Sequence, residues 1–202
     1  MRNFITRIHF RYRHVVCALV IMLLAIFQVT PVYAAVSETN SDTDYKMIID
    51  DQAGYFSDDE IDDLTDVMTQ ITEYSNVAVL TTESHSYSST TRLAEAYSDD
   101  SFGSYANRIV FVIDRDLNEI YLDTGGKIQR TINSSRATSI TDNTYVYATA
   151  SYGRDYYTCA YQAMEQVLTL LEGGRIAEPM RYICSALLAI IIALMLNYFI
   201  VM

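Results

Sequence analysis

The sequence predicts an α/β/α sandwich, a small mixed sheet flanked by helices, followed by a transmembrane helix. Three observations predict it. Runs rich in β-branched residues alternate with amphipathic helical stripes between residues 45 and 174. Two of the strand-like runs are separated only by Arg115-Asp116-Leu117-Asn118, a hairpin spacing. The last 20 residues, Ile183 to Met202, carry no charge, and at ~1.5 Å per residue they are long enough for a ~30 Å hydrocarbon core.

The chain opens on a basic segment with four arginines (Arg2, Arg7, Arg11, Arg13) and no acid, an apolar run from Val15 to Val29, and the small-residue exit Val32-Tyr33-Ala34. This is the layout of a secretory signal over residues 1–34, cleaved after Ala34 or Ala35. Retained as an anchor, it would still export the domain behind it. Residues 35–44 are polar without an apolar period and read as a flexible linker. The exported domain is expected over 45–174, about 130 residues, enough to bury a core without staples. Residues 175–182 are juxtamembrane, and 183–202 the span.

Within the domain, Met47-Ile48-Ile49 is the first strand, ending in the turn-prone Asp50-Asp51-Gln52-Ala53-Gly54. Ser57-Asp58-Asp59-Glu60 is a capping box with acids on the positive end of the helix dipole. The helix it opens has Ile61, Leu64, Val67, Met68 and Ile71 on one face, while Asp62, Asp63 and Asp66 fall outside that stripe. Asn76 to Thr82 is a strand buried on both faces. Thr91 to Tyr97 makes a short second helix with Leu93, Ala94 and Tyr97 inward. Arg108 to Asp114 and Glu119 to Thr124 form the hairpin. Ser134 is the expected cap of a third helix. Asp155 caps a fourth, with Tyr157, Ala160, Tyr161, Met164, Val167, Leu168 and Leu171 on its stripe and Gly173-Gly174 as its stop.

Charge and cysteine usage exclude several functions. The formal charge is −11, and with the basic leader set aside the remainder holds 10 basic against 25 acidic groups, net −15. That balance leaves no electrostatic footprint for nucleic acid. Cys17 lies in the signal and Cys184 in the span, so Cys159 has no partner for an intramolecular disulfide. Arg175 and Arg181 on the exported side of the span reverse the usual positive-inside bias, which the N-terminal arginines oppose. The expected location is the membrane, with the domain extracytoplasmic or at the cell surface.

Asp51 to Glu60 (Asp-Gln-Ala-Gly-Tyr-Phe-Ser-Asp-Asp-Glu) resembles the opening block of the TPM domain family. The strand ending Glu119-Ile-Tyr-Leu-Asp-Thr-Gly-Gly-Lys127 and the Gly153-Arg154-Asp155-Tyr156-Tyr157 block before a helix are similar to its later blocks, in the same order. The resemblance spans roughly Lys46 to Gly174. It implies an α/β/α sandwich and functions linked to that family: phosphatase activity, divalent cation binding, membrane-complex repair and receptor assembly. A fold does not fix a function, so the chemistry is weighed on its own residues.

In open α/β sheets ligands gather beyond the carboxyl ends of the strands. Asp51 follows the first strand, Glu83 and His85 the second, and Asp114 and Asp116 the third. Asp114-x-Asp116-x-Asn118 has the alternate spacing with which a loop wraps a hard cation, so Asp51, Asp114 and Asp116 are the expected ligands and Ca²⁺ or Mg²⁺ the expected cofactor. It is not an EF-hand, because Glu119 stands where Gly is needed and Gly125 where Glu is needed. The same residues also suit a hairpin turn. No catalytic constellation emerges. Cys159 lacks an Arg six residues on, Asp114-Arg-Asp116 lacks the context of an aspartate nucleophile, and His85 lies in a Ser/Tyr loop with no triad around it. The tyrosines clustered from Tyr145 to Tyr161 fill a helix–sheet layer or face a partner. The expected function is a membrane-anchored accessory or scaffold module that binds a membrane-protein partner and a divalent cation. The alternative is a metal-dependent phosphomonoester hydrolase.

Overall fold

The computed structural model describes residues 35–201. The secretory signal expected over 1–34 lies outside the described residues.

Among the described residues, five strands and five α-helices succeed one another: β1 (Val36–Thr39), β2 (Lys46–Asp51), α1 (Asp58–Ile71), β3 (Asn76–Thr82), α2 (Thr90–Phe102), β4 (Arg108–Asp114), β5 (Glu119–Gly125), α3 (Ser134–Ala148), α4 (Tyr156–Leu171) and α5 (Pro179–Val201). Short 3-10 turns at Gly126–Arg130 and Ala150–Tyr152 precede α3 and α4. The sheet order is β1-β2-β3-β4-β5, with β2, β3 and β4 parallel and both edge strands antiparallel. This is the small mixed sheet flanked by helices that the sequence predicts.

The local signals account for most of these elements. Ser57 donates its N–H to Glu60 Oε2 at 2.7 Å, forming the expected capping box of α1. Leu64, Val67, Met68 and Ile71 face the core from that helix. Asp155 caps α4 by accepting the Thr158 N–H at 2.9 Å. The buried face of α4 is rotated toward Cys159, Ala163 and Leu170, leaving Tyr157, Tyr161, Leu168 and Leu171 half-buried at its margin.

Three expectations are corrected. Residues 36–39 are not a flexible linker but strand β1, paired antiparallel with β2 from Val36↔Ile49 to Thr39↔Lys46. One apolar residue, Val36, packs on the core, and backbone pairing supplies the rest, which no hydrophobic period announces. Asn133, not Ser134, caps α3, accepting the Arg136 N–H at 3.1 Å. Asn and Ser serve equally well as caps, so adjacent candidates are not separated by residue type. The second helix also runs beyond Tyr97 to Phe102 and begins one residue earlier, behind Ser89.

The C-terminal expectation stands differently. α5 covers 23 residues, and its described side chains, 182–198, are all exposed. Among the described residues no helix is long and apolar enough to cross a membrane. Those 17 positions reach about 25 Å at ~1.5 Å each, short of a ~30 Å core.

Strand alternation divides the core in two. Met47 and Ile49 of β2, Val77 and Val79 of β3, and Ile109, Phe111 and Ile113 of β4 face α1, α3 and α4 in the larger cluster. Ala78, Leu80, Val110 and Val112 face Leu93 and Ala94 of α2 in the smaller one. At the amino end of β4, Arg108 closes the α2 side through Asp123 at 3.2 Å and Asp99 at 3.1 Å. That alternation decides where each polar group at the opposite, carboxyl edge of the sheet points.

Candidate functional site at the carboxyl edge of the sheet

Asp114 is the last residue of β4, shares the face of Val110 and Val112, and is 1% exposed. A carboxylate so deep needs hydrogen-bond donors, and three supply them. His85 Nε2 lies 2.8 Å and Thr90 Oγ1 2.7 Å from Oδ2, while the Leu117 N–H reaches Oδ1 at 3.1 Å. Burial pushes the carboxyl up, but the bonds from Thr90, Leu117 and His85 outweigh it and hold Asp114 below the ordinary carboxylate range. The Tyr87 N–H donates to His85 Nδ1 at 3.1 Å. The ring proton therefore sits on Nε2, directed at Asp114. Thr90 Oγ1 also lies 2.8 Å from Glu119 Oε2, at the start of β5.

On the other face, Asp51 closes β2 and is 5% exposed. Its Oδ2 accepts the Phe56 N–H at 2.8 Å, and its Oδ1 accepts the Thr81 hydroxyl. Thr81 Oγ1 in turn accepts the Ala53 N–H at 3.2 Å, and the Asp51 carbonyl accepts the Gly54 N–H at 3.2 Å. Asp51 thus fastens the turn between β2 and α1 to the neighbouring strand.

These placements correct the expected cation site. Asp51 pairs with Thr81 and Asp114 with Thr82, adjacent residues of β3 whose side chains point to opposite faces. The two carboxylates are also two strand spacings apart, each about 4.8 Å, whereas two oxygens on one Ca²⁺ lie within about 5 Å of each other. Asp116 is exposed in the hairpin turn. There Arg115 Nη1 donates to Asn118 Oδ1 at 3.2 Å and Asn118 takes a left-handed φ of 55°. The turn chemistry that the spacing also allowed is what these residues perform, and the three do not fit one Ca²⁺ or Mg²⁺. Among the described residues no group of three or more His, Cys, Asp or Glu side chains is arranged to hold a metal ion.

His85, in the Ser/Tyr loop where the sequence offers no triad, turns its side chain onto Asp114 and leaves it 6% exposed. Sequence reasoning missed Thr90 and Glu119 as its companions, because only the pairing of β4 with β5 and the docking of α2 bring them there. It also missed the aromatic rim. Tyr55 stacks on Tyr156 with ring centroids 4.3 Å apart and donates its hydroxyl to Glu83 at 2.7 Å. Burial first, then Glu83, pushes the Tyr55 phenol above its usual range.

Cys159 lies on α4, fully buried, and burial pushes its thiol up to about 12. On a Cys17→Ser/Cys184→Ser background, the folded protein is expected to stay unmodified by iodoacetamide at pH 7.5 and to take up one label in urea, read by intact mass. Labelling of the native protein would contradict this placement.

A three-layer α/β/α domain with unequal helical layers, its buried carboxylates at the carboxyl edge of the parallel strands, is the class that fold and site define. Residues 49–170, more than half of the chain, match the TPM domain family, and the chain belongs to it. Its fold is similar to the solution NMR structure of the N-terminal domain of a protein from P. gingivalis, with a TM-score of 0.56 and 16% identity over 62% of this chain and 82% of that one. No curated protein matches the sequence significantly.

Proposed function

We propose that this protein is an exported accessory module, tethered to a bilayer by α5 and serving a membrane-protein partner. The observation that carries the reading is the uncovered apolar surface of α5. Ile183, Leu188, Ile191 and Leu196 are 54%, 59%, 54% and 57% exposed, and at about 3.6 residues per turn they fall on different sides of the helix. A soluble protein seldom leaves an all-round apolar helix in water, and lipid is the solvent that suits one. The tether rests on the sequence as well, since the uncharged stretch from Ile183 to Met202 is 20 residues, which would make about 30 Å of helix at ~1.5 Å per residue. The link to the domain is short and fastened. Ile176 packs on the main core, and Asn143 Nδ2 donates to the Ala177 carbonyl at 2.9 Å. The leader in residues 1–34 supports export.

Carbonate extraction tests the tether. The full chain is expected in the membrane pellet, and Ile191→Arg/Leu194→Arg, which sets two charges near the bilayer centre, is expected to release it. Recovery of the unaltered chain in the supernatant would overturn the tether. Protease added to intact cells should digest the domain if it is exported.

The second reading, a metal-dependent phosphomonoesterase, draws support from the position of Asp114 and His85 at the strand ends. Against it, Asp51, His85 and Asp114 are each already bonded to protein donors or acceptors. Hydrolysis of p-nitrophenyl phosphate by the full chain with Ca²⁺ or Mg²⁺ decides between them. No turnover is expected, and turnover abolished by Asp114→Asn would replace the accessory reading.

A further inference from the structure

β5 is the free edge of the sheet on the side away from β1, and a trough runs along it between α2 and α3. One stretch, about 280 Å³, is lined by Tyr121 to Thr124 of β5, by Glu95 of α2, and by Ser134, Thr138 and Thr141 of α3. A second, about 210 Å³, continues past Asn118 to Ile120 of β5 and Thr141, Asp142 and Tyr145 of α3. Thr141 is common to both, and between them they are lined by β5 from Glu119 to Thr124.

The backbone of β5 offers unused hydrogen bonds into this trough. The Arg115 N–H bonds the Thr82 carbonyl of β3, so Asp114, Val112 and Val110 turn their backbone groups to β5, where Glu119, Tyr121 and Asp123 stand opposite them. Ile120, Leu122 and Thr124 therefore turn theirs outward. Gln129 Nε2 takes the Thr124 carbonyl at 2.6 Å. Among the described residues no hydrogen bond reaches the outward groups of Ile120 and Leu122. The strand also lacks the Lys and Pro with which exposed edges are commonly blocked.

The lining sets the charge of an occupant. Asp123 is neutralised by Arg108, but Glu95, Glu119 and Asp142 are exposed and no Lys or Arg lines either stretch. We propose that the free edge of β5 receives an extended, basic segment of a partner protein as an added strand, its Lys or Arg side chains meeting Glu95, Glu119 and Asp142. Main-chain bonds to Ile120 and Leu122 give the register, and the acids on both sides of the trough select positive side chains, the usual division of labour in strand addition. This gives the partner of the accessory reading its chemistry and rests on that reading.

The test uses the full chain in uncharged detergent and a fluorescein-labelled, end-blocked octapeptide of alternating Lys and Thr. Polarisation should show saturable binding, with slowed amide exchange at Ile120 and Leu122. The Glu-for-Lys peptide, and a Lys peptide N-methylated at alternate residues, should each bind at least about tenfold more weakly, since one loses the charge match and the other the main-chain donors. Thr138→Arg, at an exposed position of α3, should weaken the Lys peptide by a similar factor with an unchanged unfolding midpoint. Asp142→Lys serves if that variant fails to fold. Equal binding of the N-methylated peptide, indifference to both variants, or no binding of the Lys peptide at millimolar concentration would overturn the proposal. Carbonate extraction is read separately, so failure here is distinct from failure of the tether.

Discussion

Asp114→Ala is expected to lower the free energy of unfolding by about 4 kcal/mol, read from urea denaturation at pH 7. The carboxylate is the shared acceptor for His85 Nε2, Thr90 Oγ1 and the Leu117 N–H. Removing it strands His85 Nε2 and the Leu117 N–H, while the Thr90 hydroxyl keeps Glu119 Oε2 at 2.8 Å, and bonds to charged groups contribute about 1.5–3 kcal/mol each before the site relaxes. Asp114→Asn should cost less, about 2 kcal/mol, because its carbonyl keeps some of these bonds while its amide faces a donor. The pH dependence has a fixed sign. The folded-state pKa of Asp114 lies below its unfolded value, so the unfolded chain binds the proton more readily. The contribution is complete above the unfolded value, near pH 4, and fades as pH falls through it toward the lower folded value. The difference between wild type and Asp114→Asn should therefore shrink between pH 6 and pH 3. It should also be unchanged by EDTA, whereas a cation ligand would make it depend on chelation.

The elements were legible wherever a local rule decides them. The Ser57/Glu60 box, the Asp155 cap and the Arg108 to Thr124 hairpin rest on contacts within a few residues, and each formed as its spacing implies. β1 was not legible, because Val36-Ser-Glu-Thr39 has one apolar residue and owes its conformation to pairing with β2. The site failed for a related reason. Sequence position told which residues come after strands, and so put Asp51 and Asp114 at the correct edge. Their faces depend on the register of β2 and β4 against β3, which sets Asp51 with Val79 and Met47 and Asp114 with Val112 and Leu80. The alternation Met47-Ile49-Asp51 marks one face of β2, but nothing in the chain says which helices cover it. The place of His85 is not legible either, because the partner that holds its ring lies 29 residues away.

Asp51→Ala carries the second large effect, about 3 kcal/mol, and tests whether the acid of the opening family block is a fastener. It leaves the buried Phe56 N–H and the Thr81 hydroxyl without acceptors, at about 1–3 kcal/mol for each stranded group. The consequence is directional. Phe56 is 6% exposed and immediately precedes the cap of α1, while Tyr55 before it holds the stack on Tyr156. Loosening this turn should therefore raise amide exchange at Ala53 and Phe56 and in the first turn of α1 before it affects β4 or β5. Thr81→Val removes the matching hydroxyl and frees the Ala53 N–H as well. If the three groups act as one network, the double variant should lose less than the sum of the single losses by at least about 1 kcal/mol. Strict additivity would mean that Asp51 and Thr81 stabilise the turn independently, and an exchange increase confined to β4 and β5 would place the role of Asp51 elsewhere.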